Sequence, residues 1–452
     1  MGAGRAGLAA FIAATVFLAF MAGAFVVLSE IPPFEVLRNA YRGGEALISQ
    51  KTDYVDPYKT DHWQKARTEA RGVTVCNSET AFPGYTLYSS GDGSYARLIA
   101  MDGRVAHEWS RPFSEVWHDG AAVARPQRDE LIFFHKARVL PNGELMVLYE
   151  AAGDTPWGYG LVKLDRDAEP VWSYLEHAHH DFDITPDGRI VTLIQDFTNE
   201  QLDEFPALER PRIEDYLVVL SSEGEELKRI SLTRALLDSR FKALLYTIPF
   251  FALADPLHAN AVEVIDPAHA GKLPRRSSER VLLSFREPGT IAVLDLETEE
   301  IVWATRGPWI GQHDPSLLPD GNILLFDNIG NFDSGNASQV IEIDPQPLAI
   351  AWRYSGSAEH PFASIIRSSA QRLPNGNTLV TESDGGRLFE VTREGEIVWE
   401  FLNPVRGGEE DAYIPVLSWG QRVDPDSLDP DFRQMLGSVG QGCGRHQTAS
   451  LQ

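Results

Sequence analysis

The chain has 452 residues, enough for one large or two ordinary domains, and its 43 % hydrophobic content supports a real core and excludes a disordered protein. Lys and Arg number 40 against 65 Asp and Glu, a formal charge of −25. Such a balance repels polyanions, so no nucleic-acid partner is expected, although a local pocket of His and Arg can still attract an anionic small molecule.

After Arg5, residues 8–28 are an almost uninterrupted run of Ala, Phe, Ile, Val, Leu and Met, long enough to cross a bilayer as a helix. Ala22-Gly23-Ala24 offers a small-residue cleavage pattern, but the apolar run continues through Phe25-Val26-Val27-Leu28. An uncleaved signal anchor over residues 1–30 is therefore expected, with Arg5 kept in the cytoplasm and the large domain outside. Pro32-Pro33 ends this segment. The apolar spacing from Phe34 to Ser49 predicts a juxtamembrane helix, followed by a polar linker to about Glu79.

From there the chain repeats. Four times a polar residue stands six positions before Pro-Asn/Asp-Gly: His135 before Pro141, His180 before Pro186, His313 before Pro319 and Ser368 before Pro374. Each copy reads as a strand, a tight turn and a second apolar strand. A second signature follows, an apolar run ending in Asp and then a strand carrying Trp. It runs from Asp165 to Trp172, from Asp295 to Trp303 and from Asp344 to Trp352, and Val391 to Trp399 completes it. Together they give units of roughly 45 to 55 residues, the size of a propeller blade. The fold class expected is all-β, a six-bladed β-propeller over residues 80–420, with an N-terminal transmembrane helix.

Between blades three and four, residues Arg234 to Leu245 have helical apolar spacing, so a helical insertion is expected at about 230–252. It continues into Tyr246-Thr247-Ile248-Pro249-Phe250-Phe251, which either packs against a blade edge, covers the axis or dips into a membrane surface. Closing strands are expected to end before about Trp419, leaving 421–452 as a loose tail. Cys76 and Cys443, the two cysteines, flank the repeats; they either pair in an oxidising compartment or remain free thiols.

A hairpin needs no imidazole before its first strand. Side chains at one blade position converge on the propeller axis, so the repeat can assemble a polyhistidine site from distant segments. The block from Asp255 to Asn328 carries His258-Ala259-Asn260, Ser284-Phe285-Arg286, Ile301-Val302-Trp303, Gln312-His313-Asp314 and Phe326-Asp327-Asn328. In these motifs, over roughly residues 130 to 404, the chain resembles the bacterial arylsulfotransferase family.

The resemblance implies an enzyme exported from the cytoplasm, which together with the signal anchor gives a single-pass protein of the bacterial inner membrane with its main domain periplasmic or extracytoplasmic. It would move a sulfuryl group from an aryl sulfate to a phenol through a histidine, with no nucleotide donor and no cofactor. His258, Arg286 and His313 match the family's axial site, with His360 a further catalytic candidate from the last blades. Asn260 and Asp314 are candidate orienting neighbours, and His135 and His180 join them as substrate-binding candidates. Two departures stand out: Ser368 replaces the histidine of the sixth repeat, and no arginine follows Phe326-Asp327-Asn328. Two other readings use the same residues, a His-ligated iron or zinc enzyme and a non-catalytic binding propeller. An arginine in the same space favours an anion over a metal.

Overall fold

Each Pro-Asn/Asp-Gly turn joins the innermost strand of a blade to its neighbour, with Gly143, Gly188, Gly321 and Gly376 in the left-handed conformation the turn requires. A computed structural model of the chain describes residues 2–29, 31–34, 36, 38, 56–274, 279–332, 338–437 and 443. It divides into two compact units, residues 1–59 and 60–452. In the first unit, Gly2–Leu28 is a helix, and its stretch Gly7–Leu28 is long and apolar enough to cross a membrane. The helix expected over residues 34–49 falls mostly outside the described residues.

The second unit is a six-bladed β-propeller, six antiparallel sheets of four or five strands each. The innermost strands are Leu417–Val423, Ile132–Val139, Ala178–Ile184, Ala259–Val264, His313–Leu317 and Ser369–Arg372, for blades one to six. The ring is closed from both ends of the unit. Leu417–Val423 pairs with Tyr85–Ser90 to complete blade one, and Gly72–Cys76 adds an outermost fifth strand to blade six by pairing with Ile397–Leu402.

Both repeated signatures have structural work to do. The strand-ending aspartates cap the next turn: Asp165 Oδ1 accepts from the N–H groups of Asp167 and Glu169, and Asp295 Oδ1 from those of Glu297 and Thr298. The outer-strand tryptophans tie one blade to the next, since the indole N–H groups of Trp172, Trp352 and Trp399 donate to Ser222, Arg393 and Met101 carbonyls. Inner strands are tied by side chains instead of a backbone ladder. Asp181 and Asp183 accept from Val262 and Val264 N–H, Glu263 from Leu317, Asp314 from Ala370, and the Gln371 amide oxygen from Arg422. Every buried carboxylate in that row thus satisfies a backbone donor that has no strand partner.

Three expectations are corrected. The closing strand runs past Trp419 to Val423. Beyond it, Pro430–Leu436 is a helix, because Leu428, Phe432 and Leu436 recur every four residues and cover the core of blades one and two. The single helix expected from Arg234 to Leu245 is instead a short α-helix, Leu232–Leu237, and two 3-10 turns, Lys242–Thr247 and Phe250–Ala252. Ser239 breaks it: its hydroxyl donates to Leu236 O and accepts from Phe241 N–H, taking backbone groups the helix would need.

Cys76 and Cys443 are bonded, with their Cα atoms 5.6 Å apart. The bond ties the outermost strand of blade six to a residue far along the chain. Reduction is expected to cost about 2–4 kcal/mol, read as a lower denaturant midpoint with reductant than without.

Candidate functional site

The inner strands share an irregularity that no turn motif announces. Pairing slips by one residue at Phe134/Ala137, Ala259/Ala261, His313/Ser316 and Leu417/Trp419 and by two at His179/Phe182, in five of the six blades. A bulge releases the extra residue from the ladder and re-aims it. Here the released residues are His135 and Lys136, His180 and Asp181, Asn260, Asp314 and Pro315, and Ser418. His180, His258, Asp314, Arg367 and Ser368 also hold positive φ angles, five of the ten such non-glycine residues described. Each costs roughly 1–3 kcal/mol, and such strain concentrates where a side chain must be aimed.

The result is an axial cleft lined by at least one residue from every blade: Ser418, His135, His180 with Asp181, Asn260, His313 with Asp314, and Arg367 with Ser368. The imidazoles of His135 and His180 lie 5.4 Å apart edge to face, and those of His180 and His258 5.2 Å apart. Trp157, in the loop after the second strand of blade two, stands 5.3 Å from His258 and 5.7 Å from His180. Glu150 sits beneath them, 2.9 Å from His135 Nδ1 and accepting the His180 N–H at 2.7 Å. Burial favours its neutral form, but those two partners outweigh burial and hold its pKa below the ordinary value.

His313 and His258 are set up differently. His313 Nδ1 lies 2.9 Å from Gly311 O and 2.8 Å from Asn328 Oδ1. Asn328 is fixed in orientation because its Nδ2 donates to the carbonyls of Ser364 and Arg367. With two acceptors at Nδ1, the ring carries its proton there, which leaves the Nε2 lone pair free. Burial and the nearby Arg286 charge press its pKa down to about 3, so the ring is neutral. His258 Nδ1 is 2.5 Å from Asp255 Oδ2. Burial opposes the charged ring, but Asp255 outweighs it and the pKa rises above the ordinary value.

Two arginines flank these rings. Arg286 donates its backbone N–H to His258 O at 3.2 Å and pairs through its guanidinium with Glu287. Arg367 Nη2 donates to Asp61 Oδ2 at 2.7 Å, while its buried Nη1 has no partner among the described residues. Asn260 is the complementary case: its Nδ2 donates to Gln312 O, and its buried Oδ1 is left unpartnered. Among the described residues, the cleft therefore holds one free cationic donor, on Arg367, and one free acceptor, on Asn260.

Of the residues expected from sequence, His135, His180, Asn260, His313 and Asp314 line the cleft. His258 adjoins it through His180, and Arg286 reaches it electrostatically through His258 and His313. His360 is exposed on the loop before blade six and is not among the lining residues, a correction with a simple cause. It precedes the inner strand by nine positions, where nothing turns it to the axis. Sequence reasoning missed Arg367, Asn328, Asp255 and Glu150. Arg367 adjoins Ser368, the repeat position lacking histidine, and that adjacency was the available signal. Among the described residues, no three His, Cys, Asp or Glu side chains group as a metal site requires.

The family profile described as Arylsulfotransferase (ASST) matches residues 136–404. The chain belongs to the arylsulfotransferase family. The matched span holds His180, His258, Arg286, His313 and Arg367, and leaves out His135 and the closing strand with Ser418. No curated protein matches the chain. Similar solved structures include a protein of unknown function from Bacteroides caccae, at 12 % identity and TM-score 0.45, covering 74 % of this chain and 99 % of its own. The Cps50 (Swd1) β-propeller domain of Myceliophteria thermophila aligns at 15 % identity and TM-score 0.37, covering 77 % and 99 %. At such distances these likenesses say nothing about the chemistry of this arylsulfotransferase-family chain.

Proposed function

We propose that this chain is a membrane-anchored, extracytoplasmic enzyme that transfers a sulfuryl group from an aryl sulfate to a phenolic acceptor. The observation that carries the reading is the unpartnered Nη1 of Arg367 in a cleft that also holds neutral His313. A sulfate ester needs cationic donors for its oxygens and a neutral nucleophile for its sulfur.

In the first half-reaction His313 Nε2 attacks sulfur, the bond from sulfur to the aryl oxygen breaks, and the departing phenolate takes a proton from His258. In the second, the acceptor phenol returns a proton to His258, its oxygen attacks sulfur, and the nitrogen–sulfur bond breaks. Asp255 supports the charged His258 before transfer, and the pair is then poised to take the acceptor's proton. Arg367 and Arg286 stabilise the sulfuryl oxygens. Asn260 Oδ1 is available to receive the acceptor's hydroxyl.

The test uses the purified full-length protein with a chromogenic aryl sulfate and a second phenol, with and without chelator. Phenol release that survives chelator supports the reading; no turnover together with stoichiometric bound iron or zinc overturns it. Two variants refine it. Arg367→Ala is expected to lower kcat/KM about 100-fold, measured at saturating acceptor. In Asp255→Asn, His258 loses the charge that raises its pKa. The alkaline fall in the donor half-reaction should therefore move down by about one pH unit or more, read in single-turnover pH profiles.

A further inference from the structure

The exposed aromatic side chains of the propeller unit share one end of it. Inner strands begin and second strands finish at that end, which is also where the axial histidines lie. Tyr246, Phe250 and Phe251 in the insertion are 71 %, 85 % and 74 % exposed, and Phe332, after the second strand of blade five, is 80 % exposed. Phe197, closing the second strand of blade three, is 49 % exposed. At the opposite end, among the described residues, no Phe, Tyr or Trp is exposed; Leu348, in the turn after Asp344, is a large apolar side chain exposed there. This asymmetry is not a sign of loose packing. Leu232, Leu236, Leu245, Ile248 and Ala252 of the insertion are buried against blades three and four, so the aromatics project from a fixed base.

What lies opposite these side chains follows from where the chain enters. The unit begins at Thr60, and the next residues run across the same end: His62 O accepts from Val416 N–H, and the His62 ring packs 4.2 Å from Phe133 at the start of an inner strand. The apolar helix finishes at Leu28, so residues 29–59 are the tether. A helix held in a bilayer is therefore joined to the propeller at this end. Aromatic side chains beside cations, here the exposed Arg240 and Lys242, suit the headgroup layer, where ring and phosphate contacts are both available.

We propose that this end of the propeller rests on the membrane that the N-terminal helix crosses, with Tyr246, Phe250 and Phe251 seated in the headgroup layer. The proposal rests on the membrane-anchor reading. His258 and Arg286, with side chains 19 % and 25 % exposed, face the same end.

The test uses the full chain in zwitterionic lipid nanodiscs carrying a quencher on the lipid. An environment-sensitive fluorophore is attached at Val16→Cys, Phe251→Cys or Leu348→Cys in separate variants, Cys76 and Cys443 being engaged with each other. Loss of fluorescence at positions 16 and 251, and none at 348, is the expected result. Quenching at 16 with none at 251 overturns the docked face while leaving the anchor intact. Absence of quenching at 16 overturns the anchor itself and the proposal with it. A label at 251 that is shielded but unquenched, in particles holding two copies, overturns lipid docking in favour of a second copy of the chain.

Discussion

His313→Ala is expected to lower sulfuryl transfer about 10³-fold or more, with aryl sulfate binding largely kept. The ring is buried, neutral and held at Nδ1 by Gly311 O and Asn328 Oδ1, so its free Nε2 is the best-prepared nucleophile of the cleft. The loss should fall on kcat, since the arginines that receive the sulfuryl oxygens remain. Added imidazole should restore part of the rate by occupying the vacated space. Rapid acid or base quench during turnover, followed by peptide mass analysis, should find the sulfuryl group on the peptide that contains residue 313. Wild-type activity in His313→Ala, or the group trapped on another histidine, would overturn the assignment. His360→Ala serves as the control and should change the rate less than twofold, given its exposed loop position.

Glu390→Ala is expected to destabilise the propeller by about 3–5 kcal/mol, measured by chemical denaturation. Glu390 and Arg422 are fully buried and 3.2 Å apart across the seam between blade six and the closing strand. Glu390 Oε1 also accepts from Phe82 N–H and from Asn377 Nδ2, both at 2.7 Å. One carboxylate therefore joins the entering chain, blade six and the final strand. Burial already weakens the hold of Arg422 on its proton, bringing its pKa down to about 10 despite Glu390. Removing the carboxylate leaves an uncompensated buried cation and an unsatisfied backbone N–H. Replacing both residues with apolar ones of similar size should recover part of the loss, which separates the broken pair from a general packing defect.

The blades were legible because their signals are local. A Pro-Asn-Gly turn, a strand-ending aspartate and an outer-strand tryptophan each act within a few residues or on the adjoining blade, as Asp165 and Trp172 do. The C-terminal helix was less visible, since Phe432 reads as a lone aromatic in an acidic tail until blades one and two present the surface it covers. Within the site, histidines at repeat positions could be named because repetition implies convergence. His360 was named from the resemblance instead, as the imidazole near the last blades, and proximity in sequence to the sixth repeat carried no information about direction.

By itself the sequence determined the number of blades, the apolar helix at the start and the repeat-position imidazoles that meet at the axis, since periodicity and hydropathy are properties of the chain alone. Only the tertiary structure decided which of those imidazoles is neutral with a free nitrogen and which is tied to a carboxylate. Those differences arise from burial and from partners such as Asn328 and Asp255, whose orientation depends on the packing around them. Arg367 shows the distinction most sharply. Beside a serine in sequence it has no motif to mark it, yet a backbone held at positive φ and the Asp61 carboxylate set its guanidinium at the cleft with one nitrogen unclaimed.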